Sequence, residues 1–325
     1  MERKKTALQG AMAGIGLLVL IFDSELAVEG ARNGIHLCMM TVIPSLFPFF
    51  VLSMLLTNSL SSCRSPKWQV LAKGLGIPPA AAPVLIPSIL GGYPVGAKCA
   101  GDLYRNHQLS KEEAERLLAF CSNAGPSFLF GMVSGFFSEQ RTIWLLWFIH
   151  LFSAVLTALV IPPVQQQPDS TVMEKRKDQQ AVIGSAAKAM GLVCCWVILF
   201  RMVITFLNDW LLWLAPDWGK VLLTGFLELT NGCCELQLIS DETIRFILCS
   251  CMLAFGGLCV LLQTAGVTRG LSLSWYLRGK ALQTAFSLLL SSTVVLEQGL
   301  LLLPIFLILL LKIQKRYGNP RAIPV

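Results

Sequence analysis

Runs of about 20 apolar residues, the length that crosses the hydrocarbon core of a bilayer, recur along this chain and limit what it can fold into. One covers residues 35–56 and another 142–164, while residues 281–311 hold one long run or two short ones. Backbone that faces lipid must satisfy its own hydrogen bonds, which leaves helices or closed barrels. The sequence lacks the ten-residue stretches of alternating polarity that build a membrane barrel. The expected fold is therefore an all-α polytopic membrane protein. Charge agrees, since 14% of the 325 residues are charged, against about a quarter in a soluble domain.

One apolar stretch is interrupted where a helix should continue. Residues 88–104 read "SILGGYPVGAKCAGDLY", and Gly91, Gly92, Pro94 and Gly96 disrupt helical pairing there. The longest polar stretch, "PPVQQQPDSTVMEKRKDQQAVIGSA" at 162–186, divides the chain into halves that repeat this design. The first half holds "GGYPVGAKCAGDL", a short charged segment, then "LLAFCSNAGPSFLFGMVSG". The second holds "LTNGCCELQLISDE", then "FILCSCMLAFGGLCVLLQTAG". Each contains a glycine-broken apolar segment, a charged turn and a helix broken near its middle. The second breaks fall at Asn123–Pro126 and at Phe255–Gly257. Paired broken segments at corresponding positions point to a transporter's binding site.

Loop charge then orients the halves. Arg64, Lys67 and Lys73 stand without intervening acids, whereas Asp23, Glu25 and Glu29 dominate the preceding loop against Arg32 alone. Basic loops mark the cytoplasmic side, which places the N-terminus and the Arg64 loop inside. A hairpin at 80–103 that enters and returns keeps the Lys175-Arg176-Lys177 linker inside as well. A hairpin at 224–239 then lies on the outer side, leaving Arg269, Arg278 and Lys280 inside. The halves become inverted copies. The basic tail (Lys312, Lys315, Arg316) fits if residues 297–299 turn a final helical pair.

Other totals narrow the function. The net charge of +7 is spread over short loops, with no basic run interleaved with aromatics, so it reads as topology and not as a nucleic-acid surface. The N-terminal "MERKKTALQGAMAGIGLLVLIFDSE" has the layout of a signal peptide without a small-x-small cleavage site, and a retained first helix is expected. Of the eleven cysteines, Cys38, Cys121, Cys194, Cys195, Cys249, Cys251 and Cys259 lie in apolar segments and read as small hydrophobes. His36, His107 and His150 are far apart in sequence. Neither a metal site nor a disulfide framework is expected. No HExxH, GxSxG or paired intramembrane aspartates occur, so the chain is not expected to be an enzyme.

Polar residues within the apolar stretches nominate the site. Backbone freed by a break survives only inside protein or facing water, and freed helix N-termini suit anions. Alternatively, the glycines serve close helix packing alone. Gly92, Tyr93, Pro94 and Gly96 line the first break and Ser122, Asn123 and Gly125 the next. Asn231, Gly232, Gly256 and Gly257 are their counterparts in the second half. Arg201 in "WVILFRMVITF" and Glu228 in "GFLELTNGCC" each need a partner or water, since a charge at a helix centre costs about 2.5–3.5 kcal/mol. Three roles stay open for this pair: mutual neutralisation, snorkelling of Arg201, or a cation or proton site at Glu228 with Asn123 and Asn231 as ligand contacts. Tyr93 suits either stacking on a planar substrate or anchoring its hairpin.

"GGYPVGAK" followed by "EEAERLLAFCSNAGPSFLFG" resembles the family of sporulation integral membrane proteins typified by YlbJ (stage V sporulation protein VV). That family sits within a larger one with nucleoside-recognition gate domains, related to concentrative nucleoside transporters. "FLELTNGC" and "AFGGLCVLLQTAG" extend the resemblance over residues 35–285. It implies an endospore-forming source, residence in the outer forespore membrane, and transport of dipicolinic acid, a planar pyridine dicarboxylate. Combined with the apolar runs and the polar linker, this gives residues 1–34 as an N-terminal transmembrane anchor, 35–162 as a first gate-like repeat and 163–188 as a cytoplasmic linker. Residues 189–285 form the second repeat and 286–325 a hydrophobic segment with a basic tail. The expected partners are a dipicolinate-like anion, the bilayer, and a second copy or other sporulation membrane proteins. No cofactor is expected beyond a coupling cation or proton. Glu228 would repel a dianion, which assigns it, with Arg201, to coupling or charge pairing. The rival classes are a nucleoside permease and a non-transporting assembly protein of the forespore membranes.

Overall fold

The structure is a computed structural model that describes residues 2–60, 66–164, 179–297 and 299. It is helical throughout, and no strand occurs among the described residues. Helix α1 (Glu2–Phe22) leads into α2 (Ser24–Leu37), which passes through a π-helical turn at Cys38–Val42 into α3 (Ile43–Leu60). The widened turn sits immediately before Pro44, whose ring and missing N–H disturb the preceding carbonyls. Ser45 Oγ donates to one of these, Thr41 O, at 2.6 Å. The expected acidic loop is thus absent: Glu25 and Glu29 are exposed residues on α2, and the expected boundary at 34–35 falls within that helix. Close packing keeps α2 continuous. A β-carbon on Gly30 or Gly34 would come within 2.8 Å of the backbone of Met202 or Ile198, a small-residue helix contact.

The first half continues with α4 (Pro66–Leu75), a short 3-10 stretch at Pro79–Val84, α5 (Leu85–Leu90) and α6 (Val95–Arg105). Residues 68–75 and 79–90 meet at 95°. After the break α6 turns back along residues 79–84 and 85–90, so the segment enters and returns as a hairpin. Ser110 and Glu113 then form a reciprocal capping box that starts α7 (Lys111–Leu118). A second break leads to α8 (Pro126–Gly131), and α9 (Gln140–Val160) returns across the membrane.

The second half repeats this order. Helix α10 (Gln179–Trp210) takes over the end of the expected linker, of which residues 165–178 lie outside the described residues. Helices α11 (Asp217–Leu227) and α12 (Leu229–Glu235) fold against each other as a hairpin, and α13 (Glu242–Phe255), α14 (Gly257–Val267) and α15 (Ser274–Leu296) follow. Among the described residues five segments are long and apolar enough to cross a membrane: Ser24–Leu56, α9, α10, α13 with α14, and α15. Trp144, Phe148, Leu199, Val203 and Leu288 are large exposed apolar residues of α9, α10 and α15, as lipid-facing helices require. The chain is an all-α polytopic membrane protein. Arg64, Gln298 and the basic tail lie outside the described residues.

Hydrogen bonds sort the loops into two faces. On the first, Arg116 donates to Leu75 O, Ala158 O, Ile161 O and Pro162 O, closing the ends of α4 and α9 around α7. Arg105 bonds Val267 O at 3.0 Å and Glu115 accepts from Ser272 N at 2.7 Å, joining the α13–α14 exit to the same face. On the opposite face Arg245 donates to Phe136 O and Ile239 O, and Glu242 accepts from Ser138 N. The α5–α6 hairpin therefore opens on the first face and the α11–α12 hairpin on the second. The two are inverted relative to each other.

Candidate functional site

All the breaks meet in the interior. Gly92 and Gly125 face each other backbone to backbone, a β-carbon on Gly92 falling 3.0 Å from Gly125 N. Gly96 lies against the Cys121 carbonyl and Ser88, leaving no room for a side chain. Tyr93, joined to Pro94 by a cis peptide bond, reaches into the second half. Its hydroxyl donates to Leu253 O at 2.8 Å, and its ring lies against Gly256. Gly256 and Gly257 adopt φ of +83° and +82°. Only glycine takes consecutive left-handed positions without strain, and this pair parts α13 from α14. A β-carbon on Gly257 would stand 3.0 Å from Gly225 O, at the C-terminal turn of α11. Gly225 in turn packs on Gly232. Tyr93 therefore anchors one hairpin to the other half, and its hydroxyl is engaged there.

At the second-half break Arg201 and Glu228 neither neutralise each other by direct contact nor stand without polar partners. Glu228 caps α12: its carboxylate accepts from Thr230 N at 3.0 Å, Asn231 N at 2.7 Å and Asn231 Nδ2 at 2.7 Å. Arg201 Nη1 donates to Asn231 Oδ1 at 2.9 Å. Arginine and glutamate are thus bridged by Asn231 without direct contact. The short α12 presents its first N–H groups to its own carboxylate, so an anionic substrate meets no free helix end there. Asn123 is likewise engaged elsewhere, with Nδ2 on Phe120 O at 2.8 Å and Oδ1 accepting from Gln283 Nε2 at 3.0 Å. The two asparagines belong to separate networks.

The first-half break surrounds a residue that sequence reasoning placed in a cytoplasmic loop. Lys280 lies in α15 with 1% of its surface exposed. Its Nζ donates to Tyr93 Oη at 3.2 Å, Gln283 Oε1 at 2.9 Å and the Ser122 carbonyl. The rings of Tyr93 and Tyr276 flank it at 4.9 Å and 5.9 Å, within cation–π range. No carboxylate pairs with it among the described residues. Gly279 admits the arrangement, because it lies directly on the Ala119 backbone with no room for a β-carbon. Gln283 Nε2 also reaches His150 O, and His150 Nε2 accepts from Ala124 N at 2.9 Å.

Lys280, Tyr276, Gln283, His150 and Thr264 all escaped the sequence reading. The clearest signal concerns three of them. Tyr276, Lys280, Gln283, Ser287 and Ser291 recur every three or four residues along α15, a polar stripe on one face of an otherwise apolar helix. All five are buried. His150 heads a similar stripe on α9, with Ser153 and Thr157 buried three and seven positions on, and Thr264 lies between buried Gln263 and Thr268.

Comparison with known proteins adds one relative. The sporulation integral membrane protein YlbJ of Bacillus subtilis (strain 168) is 25% identical over 299 residues, covering 76% of this chain and 72% of the relative. The match agrees with the resemblance carried by the sequence blocks at 91–98 and 112–131. No protein-family model matches the chain, and no solved structure matches it.

Proposed function

We propose that the chain is a non-enzymatic carrier of sporulating cells that moves dipicolinate across the outer forespore membrane. The observation that carries this reading is the pair of hairpins opening on opposite faces, with their tips and both broken helices in contact at Tyr93, Gly125, Gly256 and Gly257. Inverted repeats with discontinuous helices meeting near the midplane support alternating access, because opening on one face requires only that one hairpin withdraw. The first face carries Lys73, Arg105, Lys111, Arg116 and Arg269 and is assigned to the cytoplasm by its basic loops. The sporulation relative and the sequence resemblance supply the cell type and the dicarboxylate.

Uptake of labelled dipicolinate into proteoliposomes of the purified protein tests the proposal, with uridine and succinate as competitors. Saturable uptake insensitive to uridine is the expected result. Competition by uridine would make the chain a nucleoside permease. A second reading has its own support: the close backbone contacts at Gly92, Gly96 and Gly279 make the breaks densely packed joints, as an assembly protein of the forespore membranes would need. Absence of uptake under any imposed gradient would favour it.

A further inference from the structure

Three buried hydroxyls near Lys280 have no hydrogen-bond partner: Ser122 Oγ, Thr264 Oγ1 and Tyr276 Oη. The Tyr276 hydroxyl lies within interaction range of both Ser122 and Thr264, and neither contact reaches full hydrogen-bond geometry. Ser122 and Thr264 are fully buried and Tyr276 is 1% exposed. Buried polar groups are nearly always paired, and each orphan costs about 1–3 kcal/mol. Three together, on the second break, α14 and α15, are unusual in a well-packed interior.

Lys280 itself is hydrogen-bonded but not neutralised. Its three contacts match the three N–H groups of an ammonium, yet all three acceptors are neutral. An ammonium held there without a counter-ion is costly, and a carboxylate that also accepted hydrogen bonds from the three hydroxyls would relieve every deficit at once. The contrast with Glu228 is direct, since that acid already holds three N–H donors and a bridge to Arg201.

We infer that Lys280, with the hydroxyls of Ser122, Thr264 and Tyr276, forms a carboxylate-binding site between the second break, α14 and α15. This deepens the carrier reading and rests on it for the identity of the carboxylate. The site is enclosed in this structure, and the ligand enters when the elements around the breaks separate. A carboxylate there exchanges for one neutral acceptor on Nζ and receives hydrogen bonds from the hydroxyls. The aromatic faces of Tyr93 and Tyr276 stand beside it.

The test is equilibrium binding to purified protein in nanodiscs, using dipicolinate, picolinate, pyridine, dimethyl dipicolinate and chloride. Dipicolinate and picolinate are expected to bind, and pyridine and the uncharged diester are not. Lys280→Met should weaken binding roughly 10- to 100-fold, the effect of losing a charged hydrogen bond. Tyr276→Phe is the second variant, because removing an unpaired hydroxyl leaves folding intact. It should weaken binding about 3- to 10-fold with an unchanged or raised melting temperature, whereas a purely structural tyrosine would leave affinity unaltered. Carboxylate binding unaffected by either variant would overturn the site, as would diester binding equal to that of the acid, or chloride displacing the ligand with no preference for carboxylate. Uptake of dipicolinate with wild-type kinetics in both variants removes the site and leaves the carrier standing. Lys280-dependent binding without uptake removes the carrier and leaves the site.

Discussion

A charged side chain stands at a break of each half, and the two are held in opposite ways. In the second half, Glu228 uses both oxygens to cap α12, and Asn231 passes its charge on to Arg201. At the first-half break, Lys280 reaches in from α15 of the second half and meets neutral acceptors and two aromatic faces, with orphan hydroxyls alongside. One charge is spent on holding a helix end, whereas the other stays uncompensated. The acid in an apolar stretch is thus occupied in holding a helix end. The lysine assigned to a loop is the one whose surroundings are incomplete.

Disrupting the packing beside Lys280 is the strongest way to break this contrast. Gly279→Val drives a side chain into the Ala119 backbone beside Lys280. It is expected to abolish the folded protein, read as loss of the monodisperse peak in size-exclusion chromatography. Gly184→Ala in α10 has open space around it and should elute as wild type, with stability equal or higher by up to about 1 kcal/mol.

Glu228→Gln sharpens the contrast from the other side. The neutral amide keeps one acceptor and loses the charge that binds three N–H groups, a cost of about 1–3 kcal/mol. A lowered melting temperature with unchanged carboxylate affinity is the expected outcome. Weakened affinity at unchanged stability would instead make Glu228 part of the transport machinery. Arg201→Met has the smallest effect, because it removes a partly buried bond to Asn231 while Glu228 keeps all its donors. We expect about 0.5–1.5 kcal/mol, measured by the same melt, and a smaller shift than for Glu228→Gln. Equal shifts would show that Arg201 and Glu228 act as a direct pair.

Much of the architecture was legible in the chain itself. Apolar runs of bilayer length and the scarcity of charge dictate membrane helices, because unpaired backbone is not tolerated in hydrocarbon. Gly92, Pro94, Gly256 and Gly257 announce the breaks, because their backbone chemistry is local. The capping box at Ser110 and Glu113 is equally local. Legibility fades where a residue's role depends on a distant partner. The expected loop at 23–29 is helix because Gly30 and Gly34 pack on α10, a contact that charge counting cannot register.

The candidate site shows the same limit. The sequence by itself determined a polytopic helical membrane protein with paired interruptions, since bilayer length and backbone geometry are properties of short segments. Only the tertiary structure decided what the interruptions surround. Lys280 meets Tyr93 from 187 positions away and the Ser122 carbonyl from 158, and Gln283 meets Asn123 from 160. Whether a buried charge is compensated is set by the few ångströms around it, and those ångströms are filled by side chains that only folding brings together.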